Sequence, residues 1–395
     1  MKSKNGVVRG DGSRHAVDAG GLRILFVTET STDVRLIEGL AEVASLTHLY
    51  RDLRTGVPLS QSTTASYASR PGPRGRLTFA ASAFAAVLRS RRSVDFVLIQ
   101  GYGLAAVGAN VAARVARQPA AMLVCSPVEA YLRCRTPTQT LRLQLLVVAA
   151  CARANALVGQ RYFVLSDYLA RVVRACAPRA TVENVPVYGV DTRVFARGAD
   201  DRRAVRRRLG LPEDGFVVFS GSRVAPEKDT EVLLAAFRRY CRSADAWLVH
   251  CSGGHDEFAA DAAEAGVGER VISRPAVHPH GELPDYYRAA DVCVQASKDE
   301  GLGFTPLEAL ASGTPVIAAS VGGLVETIRD GETGWTYPRG DSEALANCLT
   351  AVESMPDEAQ RRVRAGQELV ADRFERRVVF AAFERSVRTS LRRGS

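Results

Sequence analysis

The chain has 395 residues, 46% hydrophobic and 24% charged. That balance excludes a disordered chain, a collagen-like repeat and a heptad rod, and the length points to two domains of similar size. The formal charge is +9 and lies in residues 21–190, where 20 basic side chains face 9 acidic ones; the remainder holds 32 against 34. Such a basic half suits nucleic acid, an anionic membrane surface or an anionic substrate, and an arginine-rich coding bias gives the same excess.

Residues 1–21 are polar and glycine-rich and are expected to form a flexible leader. A first strand is predicted over Leu22 to Thr28 and a helix over Asp33 to Ala44. The pairing recurs at Phe96 to Gln100 before a helix over Gly101 to Ala116, at Ala121 to Cys125 before a loop, and at Ala156 to Val164 before a helix over Asp167 to Ala175. Gly56 to Arg76, rich in Ser, Thr, Pro and Gly, is expected to be a loop. The longest apolar runs, Leu77 to Leu88 and Leu143 to Ala152, fall short of the roughly 18 residues that cross a bilayer. Arg153 interrupts the second, so no membrane span is expected.

A second series follows: strands at Phe216 to Ser220, Ala246 to Cys251, Val271 to Ser273, Val292 to Ala296, Pro315 to Ala319 and Gly334 to Tyr337, with a helix from Asp229 to Tyr240. Apolar strands alternating with helices predict α/β domains with parallel sheets covered on both faces. The expected division is 22–190, a linker over 191–214, a second domain over 215–373, and a terminal helix over 374–395. That helix buries a stripe of Phe374, Val378, Phe380, Phe383, Val387 and Leu391 and crosses back to the first domain. The eight cysteines are scattered without C-x-x-C spacing, which fits small core residues in a reducing, cytoplasmic compartment.

Ligands of open parallel sheets bind at the carboxyl ends of the strands. After Phe216 to Ser220 comes Gly221-Ser222-Arg223-Val224-Ala225-Pro226-Glu227-Lys228, and Lys228 is one of only four lysines in an arginine-dominated chain. An ammonium beside a guanidinium can clamp a diphosphate, and a solvated loop with an incidental salt bridge to Glu227 is the plain alternative. After Val292 to Ala296, Glu300 precedes Gly301-Leu302-Gly303-Phe304-Thr305-Pro306-Leu307-Glu308. Thr305 as N-cap, Pro306 in the first turn and Glu308 at the third position predict a capping box. The glycines let a ligand approach the backbone, and the free N–H groups favour an anion. Glu300 has no packing role in this reading and can accept from sugar or ribose hydroxyls. A glycine pair, Gly322-Gly323, opens a third loop and is weak by itself. His278 and His280 lack a third metal ligand and are expected to be loop residues.

The ordered motifs G-x-R-x-x-x-E-K, E-G-x-G-F-x-P-L-E-A-x-A-x-G-x-P-V-I-A, G-G-x-x-E and D-G-x-T-G, from Phe216 to Tyr337, resemble those of the retaining GT-B glycosyltransferases of family 4, the glycosyl transferases of group 1. The resemblance implies a GT-B architecture: two Rossmann-like domains facing across a cleft, with the terminal helix crossing back to the first. It implies catalytic roles for Arg223, Lys228 and Glu300. Arg223 and Lys228 would hold the donor diphosphate, Glu300 the donor sugar and Glu308 the ribose. Gly221, Gly303, Phe304 and Thr305 would add donor contacts, and Val277, in the weakly matching segment Pro275 to His278, would face the nucleobase.

In the resembling enzymes the leaving phosphate is thought to deprotonate the acceptor on the same face. The chain lacks a D-x-D motif, so no metal and no cofactor are expected, and the nucleotide sugar is a substrate. The first half departs from the family pattern. Thr28-Glu29-Thr30-Ser31-Thr32-Asp33 replaces the usual glycine pair, and Val187-Tyr188-Gly189-Val190-Asp191 lacks the usual asparagine. Gln100 and Glu129 are the candidates there for contact with the acceptor, whose hydroxyl would come from a glycolipid, a polysaccharide or a small molecule. The expected setting is cytoplasmic, with peripheral contact to an anionic membrane surface open and no nucleic-acid partner. A nucleotide-sugar epimerase and a non-catalytic nucleotide-sugar-binding subunit remain as alternatives.

Overall fold

The computed structural model describes residues 21–29, 32–52, 66–135, 138–159, 161–196, 198, 201–278 and 280–393. All of the expected leader except Gly21 lies outside them. The first half contains β1 (Arg23–Thr28), α1 (Val34–Val43), β2 (Ser45–Tyr50), β3 (Tyr67–Pro71), α2 (Arg76–Ser90), β4 (Phe96–Gln100) and α3 (Leu104–Val115). It continues with β5 (Ala120–Val124), α4 (Val128–Arg135), α5 (Thr138–Val158), β6 (Arg161–Val164), α6 (Asp167–Cys176) and β7 (Thr181–Asn184). Its seven strands form a parallel sheet in the order β3-β2-β1-β4-β5-β6-β7. The second half contributes β8 (Phe216–Ser220), β9 (Ala246–Cys251), β10 (Val271–Arg274), β11 (Val292–Gln295), β12 (Val316–Ala319) and β13 (Trp335–Tyr337). They form a six-stranded parallel sheet in the order β10-β9-β8-β11-β12-β13. Two doubly wound sheets of this kind, meeting across a cleft, give the α/β two-domain GT-B fold.

The direction of winding reverses between β1 and β4 in the first sheet and between β8 and β11 in the second. At such switch points the loops beyond the carboxyl ends diverge and leave a crevice. The loops that follow β8 and β11 are the two carrying Arg223, Lys228 and Glu300.

Three expectations need correction. The sheet is wider than the apolar runs implied, because β2, β3 and β7 join it, and β3 occupies part of the expected Gly56 to Arg76 loop. It is a polar, exposed edge strand ending at Pro71, a composition that suits an edge. The strand expected from Ala156 is still helical to Val158, and β6 starts only at Arg161. Finally, Thr140–Val158 is long and apolar enough to cross a membrane by length and composition, with mean hydropathy 1.5 and only 11% of it buried. Arg153 does not interrupt this helix; it occupies one flank. Since α5 links adjacent parallel strands of one sheet, its apolar residues form a surface on the first domain rather than a span.

The terminal helix Arg376–Arg393 packs on the first domain. Phe380 fills the space above Gly39 of α1, where an added Cβ would lie 1.9 Å from the ring. Phe383 meets Phe163 edge-on at 5.6 Å, and Arg376 makes two-pronged contact with Glu42 at 2.9 and 3.2 Å. Val379 is buried and Val378 is exposed, so the stripe is rotated from the expected one at that position.

Candidate active site

The loop after β8 is fixed from beneath. His250 of β9 is fully buried; burial lowers its pKa to about 4, so the ring is neutral and its Nε2–H donates to the Ser222 carbonyl at 2.9 Å. Ser222 Oγ bonds Gln295 of β11 at 3.0 Å, and Gln295 Nε2 donates to Ser297 Oγ at 2.9 Å. These buried links tie together the two switch-point loops. The short turn Pro226–Lys228 then delivers Lys228 to the cleft, where Nζ donates to Glu300 Oε2.

The loop after β11 differs from the expected capping box. The helix Phe304–Ala311 starts earlier, with Gly303 as N-cap at φ +89° and no side-chain cap. Glu308 therefore lies in the helix interior. It is 3% exposed, and its two oxygens accept from Arg35 Nη1 and, at 2.8 Å, from the Tyr287 hydroxyl. Burial raises its pKa, and Arg35 and Tyr287 oppose the rise. The third loop is a brace: Gly323 N–H donates to the Glu300 carbonyl at 2.8 Å, and a Cβ on Gly322 would stand 2.2 Å from that same oxygen.

One cavity of about 500 Å³ gathers Gly221, Arg223, Lys228, Val277, Glu300, Gly303, Phe304, Thr305 and Glu308. Gln100 and Glu129 are not part of its lining. Gln100 Nε2 is turned to Cys125 Sγ at 3.6 Å, and Glu129 is exposed on the first turn of α4. From the first domain the cavity is instead faced by Asp33, Arg35, Ser126, Tyr131, Leu165 and Tyr188. Sequence reasoning missed Arg35 and Tyr131. Arg35 stands in the first turn of the helix after β1, a switch-point position where a cation was a readable signal; Tyr131 had no such signal.

Several bonds cross the cleft. Tyr131 donates to Glu300 at 3.3 Å, Ser166 Oγ to the Gly301 carbonyl at 2.6 Å, and Tyr168 to Asp299 at 3.0 Å. The N–H groups of Asp167 and Tyr168, at the start of α6, donate to Glu326 at 2.9 and 2.6 Å, where a carboxylate is favoured. Glu227, placed on a solvated loop only in the alternative reading of this segment, is fully buried and paired with both Arg223 and Arg135 of α4. Burial opposes its ionisation, but Arg135 and Arg223 hold its pKa at about 2, against an ordinary 4.5. A depressed pKa contributes stability above 4.5 that is lost as the pH falls toward 2. Glu227→Gln should therefore melt below the wild type at pH 7, with the gap narrowing on acidification below pH 4.5. A gap independent of pH would remove Glu227 as the charged partner of Arg135.

The site is thus a crevice edged by cations and carboxylates between the two doubly wound domains of a GT-B fold. Residues 201–369 match the model of the family Glycosyl transferases group 1. The chain is 37% identical over 180 residues to D-inositol 3-phosphate glycosyltransferase 1 of Catenulispora acidiphila, covering 42% of each chain. It is 34% identical over 246 residues to the D-inositol 3-phosphate glycosyltransferase of Streptomyces avermitilis, 58% of this chain and 51% of that one. It thus spans about two-fifths to half of the length of these curated relatives. Among solved structures, HepE of Anabaena in complex with UDP and glucose superposes with a TM-score of 0.76 at 19% identity, over 93% of this chain and 100% of that one. Sucrose-phosphate synthase of Thermosynechococcus elongatus gives 0.74 at 22%, over 93% and 98%. Residues 201–369 are thus similar to the glycosyl transferases of group 1, on a chain with the GT-B fold.

Proposed function

We propose that the protein transfers a sugar from a nucleotide diphosphate donor to an acceptor hydroxyl, with retention at the anomeric carbon and without a divalent metal or cofactor. The observation that carries this reading is the convergence of Arg223, Lys228, Glu300 and Glu308 on one switch-point cavity. A nucleoside diphosphate leaves readily once its developing charge is met, so preorganised cations are what the chemistry needs. Lys228 and Arg223 are those cations. Glu300 accepts from the donor sugar, Glu308 from the ribose, and Val277 lies against the base. The leaving phosphate takes the acceptor proton on the same face. The free cysteines agree with a reducing cytoplasmic setting. The curated relatives are named for D-inositol 3-phosphate; an acceptor with a phosphate would meet charge complementarity on the basic first domain.

The test is a thermal-shift screen with UDP-glucose, the compound in complex with HepE in a solved structure, and with GDP, ADP and TDP sugars. A ligand that binds only the folded state adds RT ln(1 + [L]/Kd), about 2.7 kcal/mol at one hundred times Kd. Stabilisation by one base and donor turnover that requires added acceptor are expected. No shift with any of them at millimolar concentration overturns the proposal. Isomerisation of the sugar without acceptor would make the protein an epimerase, and binding without turnover a partner subunit.

A further inference from the structure

Among the described residues, no element covers the outer face of α5. Leu143, Leu146, Val147 and Leu157 are 66, 68, 53 and 79% exposed. With Ala150 and Ala154 they fall at i, i+3, i+4, i+7, i+11 and i+14, one straight stripe along the helix. Cys151 and Asn155 are buried on the other side, where Asn155 Oδ1 accepts from Asn110 of α3 at 2.9 Å. Arg142 and Arg153, both exposed and eleven residues apart, lie together on one flank of the stripe. The helix contains no acid.

The neighbourhood has the same character. From residue 66 to 166 the chain carries thirteen arginines against two acids, Asp95 and Glu129. Asp95 is neutralised by Arg23 at 2.7 Å, which leaves Glu129 on α4 and, beyond this stretch, Asp167 at the start of α6. α3 packs between α2 and α5, and this layer also exposes Leu77, Leu104 and Val115. An apolar helical stripe with arginines on its flank, on an acid-poor surface, complements an anionic lipid interface: the side chains enter the acyl boundary and the guanidinium groups stay with the phosphates.

We propose that α5 lies in the plane of an anionic bilayer and seats the first domain on it, so that the acceptor is lipid-borne. The naming of the acceptor rests on the transferase reading above; the docking itself does not. α4, which packs against α5, reaches the loops after β8 and β11 through Tyr131 on Glu300 and Arg135 on Glu227. One of these two helices thus meets lipid while the other borders the cavity, which sets the cleft mouth close to the headgroups.

The experiment is flotation of the full chain with vesicles of phosphatidylcholine alone or with one-third phosphatidylglycerol, together with light scattering to read the oligomeric state. Binding to the anionic vesicles is expected, weaker at high salt and weaker on neutral vesicles. Leu143→Ser with Leu146→Ser should cut the bound fraction about tenfold, as should Arg142→Glu with Arg153→Glu, while both keep the wild-type melting temperature because these side chains are already exposed. Failure of the wild type to float, or unchanged flotation of the serine variant, overturns the proposal. So does a dimer that the serine substitutions dissolve, since the stripe would then cover a second copy. Flotation needs no nucleotide sugar: its failure strikes α5 and leaves the transferase standing, whereas a missing nucleotide shift strikes the transferase and leaves α5 standing.

Discussion

Lys228→Met is expected to lower kcat by about 10² to 10³, or roughly 3 to 4 kcal/mol of transition-state stabilisation, with little change in donor KM or melting temperature. The expectation follows from the position of the ammonium. It is half-buried on the cavity wall and paired with Glu300, whose second oxygen already accepts from Tyr131. Removing it therefore leaves Glu300 with a partner and the loop with its His250 and Gln295 anchors. In the proposed reaction what is lost is a fixed positive charge near the departing diphosphate, an interaction that would strengthen as that group leaves. Lys228→Arg should recover little, because a planar fork cannot occupy the point position of an ammonium beside Glu300. Steady-state kinetics with a saturating acceptor, alongside thermal melts, reads both. A kcat within threefold of the wild type would show that Lys228 does no catalytic work.

The central strands were legible because buried parallel strands are continuous apolar runs, as in Phe96 to Gln100 and Phe216 to Ser220. The edges were not. β3 and β7 are short and partly polar, and β2 follows α1 after the single residue Ala44, so no turn signal separates them. The second-domain half of the site was readable as spacing along one stretch of chain, and the structure brings those residues to one cavity. The first-domain face was less readable: Arg35 stood as a cation at the switch point, but it, Tyr131 and Arg135 find their partners only 92 to 273 residues away. The capping box failed for a local reason. It satisfies the same pattern as a helix begun at a positive-φ glycine, and Gly303 starts the helix early enough to turn Glu308 inward.

Arg35→Met should destabilise the protein by about 3 to 5 kcal/mol, the usual effect of removing one member of a buried ion pair. Arg35 is bound along one edge to Asp33, at 2.9 and 2.8 Å, while its other arm reaches Glu308 across the cleft. Burial opposes the charge on the guanidinium, yet Asp33 and Glu308 hold its pKa above the ordinary value. Without it, Glu308 keeps only the Tyr287 hydroxyl and sits as a carboxylate at 3% exposure. A second change, Arg35→Met with Glu308→Gln, should return much of the loss by removing the stranded charge, and the non-additivity measures the pair. Denaturant unfolding of the four proteins closes the cycle. The same geometry bears on ligand binding. Each Glu308 oxygen already accepts one bond, so in the proposed reading ribose hydroxyls compete with Arg35 for this acid. Nucleotide should consequently stabilise Arg35→Met more than the wild type, because bound ribose supplies the donors that the variant lacks. Equal shifts would mean that Glu308 serves the contact between the domains alone, and the ribose would have to be assigned to another acceptor on the cavity wall.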